Sequence, residues 1–389
     1  MIATTSPTRT SAPSSRIAAL DLMRGVVMVL MAIDHVRVYS GVPAGGLSPG
    51  VFFTRWVTHF CAPAFVFFAG TSAFLYGRKL GDKRALARYL VTRGLILVVL
   101  ELTVIRFSWT FNFDYADFVL AGVIWMLGWC MVLLAGLIWL PTRVVGLLGL
   151  VTIFFQQVFS LVPRILPTTM RASVGWIWEF IYSSGIETPP PITILYVLVP
   201  WIGVMAAGYA FGTIMLREPA ERRRFCLWIG LLATALFLVL GSLAVILQPA
   251  PANAPPALFR LLNQQKYPAS QLFLLMTLGP VIALLPLAER MRGWFVEMLT
   301  TFGRVPLFYY LLHIPVIHVV VLIVRYLREG SFHAEFFTTA PHVNVPPEYR
   351  WSLPLLYLVF VVVIALLYFP CRWFAGLKAR RQHKLLRYL

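Results

Sequence analysis

The chain has 389 residues, of which 59% are hydrophobic and only 12% charged, with a mean hydropathy of +0.79. A soluble domain carries about 25% charged residues, so composition excludes one and points to an all-α polytopic membrane protein. The net charge is +18, but Lys and Arg are scattered through short segments between apolar runs. That pattern fits the positive-inside bias rather than a nucleic-acid surface.

Residues 1–15 are polar and rich in Ser, Thr and Pro, and read as a disordered tail. Charges interrupt the next apolar run, so no cleaved signal peptide is expected. Residues 16–376 read as one transmembrane domain and 377–389 as a basic tail. About ten runs approach the ~20-residue spanning length: 17–37, 51–76, 86–107, 115–140, 143–162, 192–216, 224–247, 270–289, 302–327 and 352–375. With the N-terminus inside, twenty Lys and Arg fall on the cytoplasmic side against nine on the other. Both termini are therefore predicted to be cytoplasmic. The segment 172–183 is too short to span and reads as an interfacial or re-entrant piece carrying the belt tryptophans Trp176 and Trp178.

The first run, IAALDLMRGVVMVLMAIDHVRVYS, carries Asp21, Arg24, Asp34 and His35. Ionisable groups in a membrane segment are costly and mark function by default. At about 100° per residue, Arg24 and His35 share one helix face about 16 Å apart along the axis, and Asp21 falls within about 40° of His35. One helix thus offers a guanidinium towards one membrane surface and an imidazole towards the other.

The second run, FFTRWVTHFCAPAFVFFAG, places Arg55, His59 and Pro63 on one face by their spacing of four. Pro63 frees the carbonyl of His59. In the third run Glu101 sits two turns from Arg93, and a buried ion pair is the simplest expectation. The ninth run, TFGRVPLFYYLLHIPVIHVVVL, carries Arg304 near the cytoplasmic end, His313 at mid-depth and His318 further out. Pro306 and Pro315 are expected to kink or break this helix.

His35, His59 and His318 fall in the extracytoplasmic halves of their runs, which suits a general base, because imidazole titrates near neutrality. No two His have i, i+4 spacing and acidic ligands are sparse, so no metal is expected. Asp34 is a candidate to orient an imidazole from another helix. Arg24 and Arg304 suit phosphate binding through bidentate contacts. The four cysteines are dispersed and read as small buried hydrophobes.

Taken together, RIAALDLMRGVVMVLMAIDHVR, RWVTHFCAPAFVFFAGTSAFLYGR, TRGLILVVLELTVIRF, YVLVPWIGVMAAGYAFG, KYPASQLFLLMTLGP, FGRVPLFYYLLHIPVIH and YFPCRWFAGLKARR resemble the bacterial branch of the heparan-alpha-glucosaminide N-acetyltransferase catalytic-domain family. The resemblance implies a transmembrane acyltransferase of the bacterial inner membrane. It implies that acetyl-CoA is used from the cytosol and that a sugar or glycan acceptor is acetylated on the other side. The family pattern covers Asp21, Arg24, Asp34 and His35, then His59 and Pro63, then Lys266, Tyr267 and Pro268, then Gly303, Arg304, Pro306 and His313. In the animal enzymes the catalytic His lies in the first extracytoplasmic loop. Here that loop, SGVPAGGLSPG, has none, so His35 or His59 is the expected base.

The candidates are then His35, Asp34, His59 and His313 for catalysis, Arg24, Asp21 and Arg304 for acyl-CoA, and Lys266, Tyr267 and Arg55 for the acceptor. Membrane lipids are expected partners, and a homodimer is left open. A direct transfer fits better than an acyl-enzyme, because no Ser or Cys is paired with a base. The second reading is a proton-coupled transporter whose intramembrane Asp, Glu and His form a relay.

Overall fold

The computed structural model describes residues 18–46, 48–116, 118–165, 167–183, 192–248 and 253–380. The tail expected at 1–15 lies outside the described residues, as does the tail expected at 377–389 except for 377–380, which continue the last helix, Leu353–Arg380.

The helices in chain order are α1 (Ala18–Ser40), α2 (Pro49–Trp56), α3 (Cys61–Leu80), α4 (Lys83–Leu100), α5 (Arg106–Thr110), α6 (Val123–Leu137), α7 (Thr142–Phe154), α8 (Val162–Ile165), α9 (Thr168–Trp178), α10 (Trp201–Met215), α11 (Pro219–Leu247), α12 (Ala257–Leu262), α13 (Gln271–Ala288), α14 (Trp294–Arg304), α15 (Pro306–Glu329) and α16 (Leu353–Arg380). One short parallel pair, β1 (Val119–Ala121) and β2 (Ile192–Ile194), sets Val119 opposite Ile192. Local chemistry fixes the boundaries. Gly81 and Gly330 close α3 and α15 in the left-handed conformation. Asp82 and Ser270 cap α4 and α13 through bonds from the backbone N–H of Arg84 and Phe273.

By length and composition, five helices are apolar enough to cross a membrane: 49–80, α11, α13, α15 and α16. The stretch from α7 to α8, bent by 60°, makes a sixth if counted as one span. Among the other predicted runs, α1 carries four charged side chains, and α6 and α10 are short apolar helices. α11 leaves most of its apolar side chains uncovered, Val239 and Ile246 among them, as a lipid-facing helix does.

Pro315, also expected to kink or break its helix, lies inside α15, which runs on to Glu329. The break expected at Pro306 is there: the run at 302–327 is two helices, because Pro306 cannot donate and disfavours helical backbone at the residue before it. Val305 accordingly leaves the helical region, and α14 ends where α15 begins. The run at 115–140 contains strand β1, and its helix begins only at Val123. The Trp178 indole donates to the carbonyl of Phe159 at 2.9 Å.

The site-bearing helix α1 lies at the centre, packed on α3, α13, α14, α15 and α16. Its approach to α14 depends on two glycines. A Cβ on Gly25 would collide with the carbonyl of Leu299, and one on Gly303 with the carbonyl of Asp21. The Cys61 thiol donates to the carbonyl of Val27 at 3.1 Å, so it packs α3 onto α1.

Candidate functional site

Two cavities flank α1. The first, about 460 Å³, opens beside Asp21 and Arg24 near the helix start. The second, about 280 Å³, opens beside Asp34 and His35 near its end. They share three lining residues, Phe65, Val123 and Tyr310.

The arginine cavity is lined by Arg24, Arg93, Arg304 and Lys378 against the single carboxylate of Asp21. Arg24 is braced: Nη1 donates to Asp21 Oδ1 at 3.4 Å, and Nη2 donates to the Phe68 carbonyl at 3.1 Å and to the Ser72 hydroxyl. It therefore ties α1 to α3 while contributing charge. Arg304, the last residue of α14, is exposed. Close packing of Gly25 and Gly303 is what brings this end of α14 to Asp21.

The histidine cavity is lined by Asp34, His35, Arg55, His59, Lys266 and Tyr267 together. They come from α1, from α2 and the 3₁₀ turn after it, and from the loop before α13. His59 lies in that turn, Val57–Phe60, where the helix is interrupted just ahead of Pro63. His313 does not line the cavity but reaches it through a hydrogen bond, with His35 Nδ1 2.7 Å from His313 Nε2. The His35 ring is clamped between His313, stacked at 4.9 Å, and the edge of Trp109, also at 4.9 Å.

The partners of His313 settle the proton arrangement of the pair. Its Nδ1 faces two carbonyl oxygens, Tyr310 at 2.6 Å and Tyr309 at 3.2 Å. Carbonyls only accept, so Nδ1 carries the proton and neutral His313 presents a lone pair at Nε2. His35 Nδ1–H must then donate to it, which leaves His35 Nε2 as a lone pair. A histidine in that tautomer is set up to take a proton.

Several expectations are revised. Asp34 Oδ1 accepts from Arg37 Nε at 2.9 Å, and among the described residues no imidazole bonds to this carboxylate. Glu101 does not rely on Arg93: its Oε2 accepts from the backbone N–H groups of Ile124 and Trp125, at 3.0 and 3.2 Å, at the start of α6. There it answers unpaired donors and the positive end of the helix. Its turn is a π-helix, Glu101–Ile105, and a Cβ on Gly122 would collide with its carboxylate. His318 donates to or accepts nothing in the cavity; its Nδ1 pairs with the Ser108 carbonyl at 3.1 Å and its ring stacks on Phe111.

His59 is nearly fully buried, and neither ring nitrogen has a partner among the described residues. A buried polar group in that state calls for a water or a ligand. Arg55 and Lys266 have no acidic partner among the described residues. The Lys266 ammonium lies over the rings of Tyr267 and Tyr196, at 5.2 and 5.9 Å. Burial works against its charge, and nearby Tyr267 and Asp34 more than offset that, so its pKa stands above the ordinary lysine value. It is a fixed cation and not a base.

The profile of one family, described as heparan-alpha-glucosaminide N-acetyltransferase, catalytic, matches residues 16–248. The chain belongs to this family. No curated protein matches it. The matched residues include Asp21, Arg24, Asp34, His35, Arg55 and His59. Lys266, Arg304, Tyr310 and His313 lie beyond the match; the fold sets the first three in the walls of the same cavities and His313 against His35. Single-sequence reasoning missed Tyr310, Trp109 and Tyr196. Tyr310 had one legible signal, a position three residues before His313 on the proline-flanked helix.

Proposed function

We propose that this protein is a transmembrane acyltransferase that moves an acetyl or other acyl group from cytosolic acyl-CoA to a sugar or envelope-glycan acceptor on the opposite face. The observation that carries this reading is the pair of cavities, one rich in cations and one in imidazoles, that share Phe65, Val123 and Tyr310 in their walls. Family membership supports the reaction class. The reading keeps ten spans with both termini in the cytosol, which puts the arginine cavity on the cytosolic side.

In this reading the phosphates of acyl-CoA are held at the mouth of the arginine cavity by Arg304, in the positive field of Arg24, Arg93 and Lys378. Guanidinium groups match phosphate geometry. Asp21 holds Arg24 rather than the ligand. The pantetheine arm follows α1 towards His35, about 16 Å on by helix rise, and sets the thioester beside the shared wall. The acceptor enters the histidine cavity, where Arg55, Lys266, Tyr267 and His59 hold it.

His35 Nε2 removes the proton from the acceptor amine or hydroxyl as it attacks the thioester carbon. His313 holds His35 in the productive tautomer and leaves it a lone pair facing outwards. The carbon–sulfur bond breaks, and the proton taken by His35 balances the proton gained by the CoA sulfur. General base catalysis of this kind contributes about 10²–10⁴-fold.

The test is acetyl-CoA binding and turnover by purified protein in nanodiscs, followed by a screen of sugars and amines as acceptors. Thermal stabilisation by CoA together with release of free thiol is expected. Neither effect with acetyl-CoA or longer acyl-CoAs, alongside flux of a solute driven by a pH gradient, would replace this reading with a transporter.

A further inference from the structure

The reaction proposed above passes through a tetrahedral centre whose oxygen becomes negatively charged. Such a charge needs a donor placed in advance, in a site from which water is largely excluded. The donor has to stand where the thioester meets the acceptor, beside the wall that the two cavities share.

Three side chains line both cavities, and two of them, Phe65 and Val123, have nothing to donate. The third is Tyr310. It is 7% exposed, and its hydroxyl has no hydrogen-bond partner among the described residues. Since this hydroxyl is not one of the fully enclosed unpartnered polar atoms, it is open to a cavity and available to something that enters there. Two sets of donors nearby are already committed. Glu101 occupies the Ile124 and Trp125 N–H groups of α6, and the His35 Nδ1 proton is engaged by His313.

Tyr310 is also fixed relative to the base. Its own carbonyl pairs with His313 Nδ1 at 2.6 Å, and His313 Nε2 pairs with His35 Nδ1 at 2.7 Å. Two hydrogen bonds thus link the backbone that carries the phenol to the imidazole that takes the proton. Preorganisation of this kind is what makes a donor effective in a transition state.

We propose that the Tyr310 hydroxyl is a catalytic residue that donates to the thioester carbonyl oxygen as it becomes an oxyanion. This inference rests on the acyltransferase reading. The acceptor's nitrogen or oxygen forms a bond to the carbonyl carbon, and the C=O electron pair moves onto oxygen, where the phenol O–H stabilises it. The pair then returns, the carbon–sulfur bond breaks, and CoA leaves with the proton that His35 took. The phenol keeps its own proton throughout.

The test is Tyr310→Phe, which removes one oxygen atom and leaves the ring. The readout is thiol release from acetyl-CoA, with glucosamine as acceptor probe. The expected result is a fall in kcat of about 10²–10³-fold, with KM for acetyl-CoA changed less than about twofold. An unchanged kcat, or a loss confined to KM, would overturn the assignment. Should Tyr310→Phe lose CoA-induced thermal stabilisation, 3-fluorotyrosine at position 310 supplies the second measurement. Its more acidic hydroxyl is expected to change kcat without changing CoA binding, and an identical kcat counts against the role. Wild-type protein that releases no thiol removes the acyltransferase reading itself. Wild-type turnover matched by Tyr310→Phe removes only this inference.

Discussion

At the Asp21 end of α1 the cavity wall carries Arg24, Arg93, Arg304 and Lys378 against one carboxylate. At the His35 end, Asp34 is answered by Arg37 and Glu101 by the start of α6, which leaves Arg55, Lys266 and the His59 imidazole. The first cavity is an excess of one sign of charge. The second is a set of polar groups whose mutual hydrogen bonds define donors and acceptors. Positive charge in excess attracts a polyanion with little demand on orientation. A fixed tautomer serves a proton transfer, where geometry decides. The contrast predicts that substitutions in the arginine cavity weaken binding of the acyl donor, whereas those in the histidine cavity slow the chemical step.

The largest expected effect is at the base. His35→Ala should lower acetyl transfer by about 10³-fold while sparing CoA-induced thermal stabilisation. Equal turnover by this variant and wild type would break the assignment of chemistry to the second cavity. Next comes His313→Ala, which removes the lone pair that fixes the His35 tautomer. A misplaced catalytic group can cost about 10²-fold, so kcat should fall by that order with KM for acetyl-CoA unchanged. A smaller effect, of the opposite kind, is expected for Arg304→Ala. Loss of one charged hydrogen bond, about 1.5–3 kcal/mol, should raise KM for acetyl-CoA roughly tenfold or more and leave kcat near wild type. The smallest is expected for Lys266→Ala, with KM for a neutral sugar acceptor little changed and KM for an acidic one raised. That difference should shrink with added salt, since screening weakens partly exposed charge pairs.

Much of this layout was legible in the sequence. The charges within the first apolar run and their helical spacing separate Arg24 from His35, and the structure sets these two beside different cavities. Of the two prolines of the ninth run, Pro306 marks the break after Arg304, whereas Pro315 lies inside α15. The partner of His35 was not legible, because α1 and α15 are almost three hundred residues apart in sequence and helix adjacency is a tertiary property. Asp34 looked like the natural partner of an imidazole, but Arg37, one turn along the same helix, holds its carboxylate. Glu101 was misjudged for a related reason. Side-chain pairing rules on a helix say nothing of a second helix whose unpaired N–H groups arrive at the carboxylate. Tyr310 was missed because a tyrosine in an aromatic-rich apolar run gives no sign that its hydroxyl lacks a partner.

The most direct measurement of the central claim, that one acyl group passes between the two cavities, uses proteoliposomes with glucosamine trapped inside and acetyl-labelled acetyl-CoA added outside. The account predicts labelled acetyl on the trapped amine while CoA accumulates outside as free thiol, and loss of both in His35→Ala. Label appearing only when donor and acceptor share one side of the membrane would contradict it.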